Sequence, residues 1–255
     1  MAGEAHLSRG GVGKSKHPDK PLRLVVDRKG VAAKRSSRGQ PRLNSPIVYV
    51  GGSMEEIQFE KLVAQHPSLR AELVEFHEQI ARTPAENEVN GMYVVGLLEL
   101  LRKRKVVVPT VRPAQRFRFY PLREYMELLV FAAVNLHPEK TVGEGLRHMG
   151  LGVIPTFASS LAGNVILSAA TWSWEAALGG LTRGYSLSVR PGSVRVVESR
   201  RGFARVEFRG MWNFGETYQV GLIEGLMRWC KVDGKLWARK LSRANTDILI
   251  EWHDN

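Results

Sequence analysis

The chain has 255 residues, 44% hydrophobic and 24% charged, with Gly 25 and Pro 12; this globular composition excludes collagen-like and wholly disordered chains. A single cysteine, Cys230, excludes an intramolecular disulfide framework and a cysteine-built zinc site. The net charge of +12 is uneven: residues 1–45 hold 11 basic and 3 acidic side chains, net +8, which leaves +4 for the remaining 210 residues.

The first eleven residues lack the apolar stretch of a secretory leader. Residues 1–45 mix Gly, Ser and Pro with cations and contain one short apolar run at 22–26. So little burial cannot offset the entropy of ordering, and the segment reads as a disordered basic tail. Its candidate polyanion contacts are Lys14, Lys16, Arg28, Lys29, Lys34 and Arg35, weak and without sequence preference because aromatic stacking residues are missing. Residues 8–15, SRGGVGKS, echo a phosphate-binding loop. No buried strand precedes them and Lys16-His17-Pro18-Asp19 starts no helix, so they read as tail.

Residues 46–86 read as a helical extension. Ser53 and Glu56 form a capping box, followed by Ile57, Phe59, Leu62 and Val63 at helical spacing over 54–66, up to Pro67. Leu69, Leu73, Phe76 and Ile80 mark a second helix that ends near Thr83-Pro84. Two helices this short require cover from the core or from a partner.

Residues 87–255 read as the core domain. Asn90 caps a helix with Val94, Leu97, Leu98 and Leu101 on one stripe, and the cations at 102–105 oppose its negative pole. An extended stretch over 106–119 leads to Pro121, which starts a helix carrying Leu122, Tyr125, Met126, Leu129, Ala133 and Leu136. Thr141 and Glu144 form a second capping box for a helix that ends near Gly150. Residues 151–174 carry no charge, but Pro155 and interspersed Ser, Thr and Asn make them a buried central helix running on to Leu178 rather than a membrane span. A cytoplasmic protein is the expectation.

From Gly184 the apolar period falls to two. Strands are expected over 185–190, 193–199 and 204–209, with type II turn chemistry at Pro191-Gly192. Asn213 then caps a helix with Ile223, Leu226, Met227 and Cys230 on one face, and strands over 235–241 and 246–252 close the chain. The fold class is α+β, with N-terminal helices packed on a C-terminal antiparallel sheet of β-β-β-α-β-β order.

Four segments, "VNGMYVVGLLELLRKR", "FRFYPLREYMELL", "LHPEKTVGEGLRHMGLGVIPTF" and "YQVGLIEGLMRWC", resemble the myxobacterial paralogue domain family over about residues 88–253. The aromatic-Tyr-Pro helix start, the Leu-Arg-x-x-Gly step and the Gly-Leu-x-Glu-Gly helix occur in the family's order. The resemblance implies no catalytic residues, because that family has none assigned. At fold level the layout is similar to haem-NO-binding, vinyl-reductase-like and vesicle-tethering domains. The haem signature of that group, a helix histidine with a Tyr-x-Ser-x-Arg run, is absent, so the likeness implies no haem.

No catalytic, metal or cofactor set emerges from the residues. The seven histidines show no pair at ligand spacing, and His66, His137 and His148 read as cations at helix C-termini. Glu216 and Glu224 are placed for a carboxylate pair on one helix, but read as solvated positions. Cys230 reads as a small core residue. Gly221 and Gly225, four apart, let the late helix press on a neighbour. All six tryptophans lie in the second half, and Trp172, Trp174, Phe208 and Ile248 mark a candidate ligand pocket between the long helix and the sheet. The leading reading is a non-enzymatic binding or adaptor module in bacterial signalling or assembly, with a protein partner. The alternatives are a sensor for a small apolar ligand and a nucleic-acid-associated protein acting through the tail.

Overall fold

The computed structural model describes residues 22–25, 48–49, 56–108, 112–158 and 173–253. Trp172 and the six candidate polyanion contacts, Lys14, Lys16, Arg28, Lys29, Lys34 and Arg35, lie outside them. The fold is α+β. Strands β1 (Leu22–Val25) and β2 (Val48–Tyr49) precede helices α1 (Glu56–Gln65) and α2 (Arg70–Ala81). Then come β3 (Glu88–Asn90), α3 (Gly91–Lys103), β4 (Arg112–Pro113), β5 (Phe119–Pro121), α4 (Leu122–Leu136), α5 (Val142–Leu151) and α6 (Val153–Ala158). The second half holds α7 (Trp174–Ser186), β6 (Val189–Arg190), β7 (Ser193–Arg200), β8 (Phe203–Arg209), α8 (Tyr218–Trp229), β9 (Gly234–Ser242) and β10 (Asn245–Trp252).

The main sheet is antiparallel, in the order β1-β9-β10-β8-β7. Ala204, Val206 and Phe208 of β8 and Ile248 and Ile250 of β10 are fully buried on its inner face, which is what their alternation with charged neighbours demands. The β-β-β-α-β-β order of the second half is present, but β6 pairs with β3 in a separate three-stranded sheet, β5-β3-β6.

Three expectations change, and one holds. Leu22–Val25, assigned to a disordered tail, pairs with β9 at the sheet edge, Leu24 opposite Leu236. The open backbone edge of β9 supplies hydrogen bonds that the segment lacks alone. The helices of the 46–86 segment pack on the core, as helices this short require: Phe59, Leu62, Val63, Leu73 and Ile80 belong to the same buried cluster as the sheet residues. Gln79 Nε2 also donates to the Trp212 carbonyl at 2.8 Å. The long helix over 156–178 is not continuous. Ser173 is extended (φ −155°, ψ 158°), and its side chain accepts from the Ala176 amide to start α7 at Trp174. Finally, Tyr185 closes α7 instead of opening a strand. Trp174, Ala177, Leu178, Leu181 and Tyr185 follow helical spacing and are buried, so this longer pattern outweighs the short alternation at 185–189. Among the described residues, no helix is long and apolar enough to cross a membrane.

Candidate functional site

Asn90 accepts a hydrogen bond from the Met92 amide and starts α3. Val94, Leu98 and Leu101 of that helix are buried in the core. Tyr93, Gly96, Leu100 and Lys103 instead line a cleft of about 350 Å³, closed by Tyr125 and Leu129 of α4, Met149 of α5, Val153 and Thr156 of α6, and Tyr218 of α8. Its charged wall residues are Glu99 and Lys103, and Glu99 is held by Arg116 at 2.9 Å. A smaller recess of about 30 Å³ lies between α6, α7 and α8, lined by Ile154, Phe157, Ala177, Leu181, Leu222 and Leu226 among others.

Cleft and recess share walls with an inner chamber of about 20 Å³, formed by Val89, Tyr93, Tyr125, Tyr185, Ser188, Val189, Asn213, Tyr218 and Leu222. That volume suits one water-sized group. Four phenols meet at this chamber. The Ser188 hydroxyl donates to the Gly184 carbonyl, so the Tyr93 hydroxyl, 2.7 Å away, donates to Ser188. Tyr125 and Tyr218 share one hydrogen bond at 2.8 Å. Tyr185 donates to Gln219 Oε1, and Gln219 Nε2 donates to the Asn213 carbonyl at 3.3 Å. Burial pushes the Tyr93 phenol up to about 12, and also raises those of Tyr125, Tyr185 and Tyr218, so all four are neutral near pH 7. Asn213 Oδ1 is buried without a partner.

Residues 82–253 match the family described as protein of unknown function (DUF2378). The chain belongs to that family. No curated protein matches the sequence. The H-NOX protein from S. oneidensis in its Fe(II)NO ligation state has the same fold, with a TM-score of 0.50 at 9% identity over 65% of this chain and 99% of that one. The Fe(II) unliganded H-NOX protein from K. algicida gives 0.45 at 11% identity over 65% and 97%. At such identities the likeness concerns the fold alone.

The candidate pocket residues fall elsewhere than expected. Trp174 stacks edge-on against Trp252 at 5.8 Å, Phe208 packs edge-on against Tyr185 at 5.5 Å, and Ile248 is fully buried. All three are buried in the core, and the space between α7 and the sheet lies instead beside β7, a cleft of about 340 Å³ lined by Glu175, Leu178, Gly179, Thr182, Arg195, Val196 and Ser199. Asn213 caps no helix: α8 starts at Tyr218, without a side-chain cap at Thr217. Glu216 and Glu224 form no pair either. Glu216 lies before α8 beside Lys240 at 2.5 Å, whereas Glu224 is buried between Arg147 and Arg228, each at 2.6 Å. His137 and His148, eleven residues apart, stack at 4.8 Å, a juxtaposition that sequence spacing hid. Cys230 is half-buried, and burial pushes its thiol up to about 11, which suits an unreactive position.

Proposed function

We propose that this chain is a non-catalytic sensory module that binds a small, predominantly apolar ligand in the cleft along α3. The supporting observation is an open cleft of about 350 Å³ adjoined by an apolar recess and a tyrosine-walled chamber. A concave apolar site with few convergent polar groups suits a small ligand. The H-NOX-like fold supports the reading, since the S. oneidensis protein is described in an Fe(II)NO ligation state.

The residues present do not fit haem. Iron needs an axial imidazole, thiolate, thioether or phenolate. The described wall residues include no histidine or cysteine, Met149 has no imidazole there to pair with as in Met/His haem ligation, and the four phenols are engaged in hydrogen bonds to Ser188, Gln219 and each other. Ser186-Leu187-Ser188-Val189-Arg190 keeps the serine–arginine spacing of the haem-associated run but has Ser186 in place of its tyrosine. Arg190 turns outward, pairing with Glu88 at 2.7 Å and lying 3.8 Å over the Phe119 ring.

The test is titration of the purified chain with the neutral dye Nile red. Saturable binding is expected, with about tenfold weakening in Thr156→Trp, which fills the cleft from its solvent side at unchanged melting temperature. Added haemin should give no stoichiometric Soret shift. A one-to-one haem complex, or dye binding indifferent to Thr156→Trp, overturns the proposal.

An adaptor role has separate support. Residues 104–108 leave the C-terminal end of α3, and Arg118 lies at its other end, its carbonyl accepting from the Gly91 amide at 2.7 Å. Val107 is 83% and Phe117 96% exposed, with Arg104, Lys105, Arg116 and Arg118 beside them in sequence. Apolar tips among cations suit a protein partner with an acidic surface. Phe117→Ser should remove a stoichiometric partner that co-purifies with the unaltered chain; equal recovery with both chains rules this contact out.

A further inference from the structure

We propose that strand β7 is a self-complementary docking edge, on which a second copy of this chain pairs antiparallel about a two-fold axis between Val196 and Val197. The main sheet ends in two edges of unlike length. Strand β1 at one end has four residues, whereas β7 at the other has eight, and among the described residues no strand pairs with its outer side. Such an edge presents a row of unpaired amides and carbonyls. The cleft of about 340 Å³ follows it, with Arg195 of the outer sheet face and Val196 and Ser199 of the inner face on one wall and Gly179 of α7 on the other. A Cβ on Gly179 would meet nothing within 4 Å, so α7 leaves the edge open there. Cover also fades along the strand: Val194 is 3% exposed, Val196 half-buried and Val197 41% exposed.

Register and charge select the occupant. In a regular strand residues 195 and 198 point to opposite faces. Here Val197 is an extra residue: Arg195 lies opposite Glu207 and Glu198 opposite Arg205, two positions apart on β8 and so on the same outer face. Val194 and Ser199 lie opposite Phe208 and Ala204, both on the inner face. A two-fold between Val196 and Val197 therefore sets Arg195 of each copy opposite Glu198 of the other, Val194 opposite Ser199, and Val196 opposite Val197. Without the bulge this register would turn each arginine away from its glutamate. Arg195 is available for the contact: among the described residues it holds no ion pair, and Glu207 is taken by Arg209 at 3.0 Å. Glu198 meets Arg200 at 3.4 Å, an exposed pair worth little in water.

Analytical ultracentrifugation of the full chain should show a monomer–dimer equilibrium between about 1 and 100 µM, the range suited to a small, partly polar seam. Over the same range the amides of residues 193–200 should exchange more slowly at the higher concentration. Arg195→Glu and Glu198→Arg, each alone, set like charges opposite each other at two places in the dimer and should weaken it about tenfold, at unchanged melting temperature. An equimolar mixture of the two variants should recover the unaltered affinity as a heterodimer, because two acids of one chain then face two bases of the other. The double variant Arg195→Glu with Glu198→Arg should dimerise as the unaltered chain does. A chain that stays monomeric at the highest concentration, β7 amides whose exchange ignores concentration, or a dimer indifferent to both variants overturns the proposal. Two weakened variants that do not recover on mixing overturn it as well, and so does a peptide of another protein cross-linked to β7 in place of the second copy.

Discussion

Helix α8 meets its neighbours in two unlike ways. Toward α5 it closes until backbone touches backbone. A Cβ on Gly221 would overlap the Arg147 carbonyl, one on Gly150 would overlap the Tyr218 carbonyl, and one on Gly225 would stand 2.9 Å from the Leu151 carbonyl. On the neighbouring face Tyr218, Leu222 and Leu226 border the chamber, the cleft and the recess. The difference lies in what the side chains permit. Glycines let two helices approach until main-chain atoms pack. Phenols tied by hydrogen bonds to Ser188, Gln219 or each other cannot turn to fill the gaps between them, so space remains beside a tight seam.

Substitutions at the two faces should therefore have opposite signs. Gly221→Ala forces a methyl into the Arg147 carbonyl, and should cost about 3 kcal/mol, the upper end for overpacking, read by denaturant unfolding. A neutral result would show that α5 and α8 are not so close. Glu224→Ala tests the same seam electrostatically, since Arg147 and Arg228 hold that buried carboxylate. Breaking a fully buried pair costs about 3–5 kcal/mol; Arg228 is 55% exposed here, so about 2 kcal/mol is expected.

On the open side Gly184→Ala should act in reverse. Its methyl would lie 3.8 Å from Phe157, an ordinary contact, at the edge of the recess and within α7. Stabilisation of about 1 kcal/mol is expected from helix propensity and filled space. A loss comparable to that of Gly221→Ala would mean that the recess is already closed.

The smallest effect is pH-dependent and belongs to the tight side. Burial and, for His148, the charge of His137 hold both stacked imidazoles below the usual 6.5, with Lys140, Arg104 and Arg147 adding to the shift and Glu139 and Glu224 opposing it. The unfolded chain then binds more protons than the folded chain just below pH 6.5. Stability present above that pH is lost as pH falls through the lower folded values. Melting temperature should drop between pH 7.5 and 5.5, and His148→Gln should flatten the slope; an unchanged slope would exclude the pair as its source.

Local rules read much of this molecule correctly from sequence. Asn90 and the Thr141–Glu144 capping box start α3 and α5 where their side chains can reach orphan amides, a matter of three adjacent residues. The close approach at Gly221 and Gly225 followed from their four-residue spacing. The site did not follow in the same way. Asn213 resembled a helix cap because an asparagine before an apolar run is what a cap looks like. In the sequence pattern Tyr125 falls on an apolar stripe and Tyr185 at a strand start, and nothing local links them to Tyr93 or Tyr218, although a buried phenol requires a partner and four of the chain's six tyrosines gather at one chamber.

The sequence by itself determined the α+β class, the order of the second half and the starts of α3, α4 and α5, because capping, periodicity and turn chemistry act over a few residues. Only the tertiary structure decided that one cleft opens along α3 and another between α7 and β7, that β6 leaves the main sheet for β3, and that Tyr93, Tyr125, Tyr185, Asn213 and Tyr218 share a chamber. Those residues span more than a hundred positions. Their meeting depends on how far each pair of helices can close, which the backbone carbonyls opposite Gly150 and Gly221 set and no local pattern records.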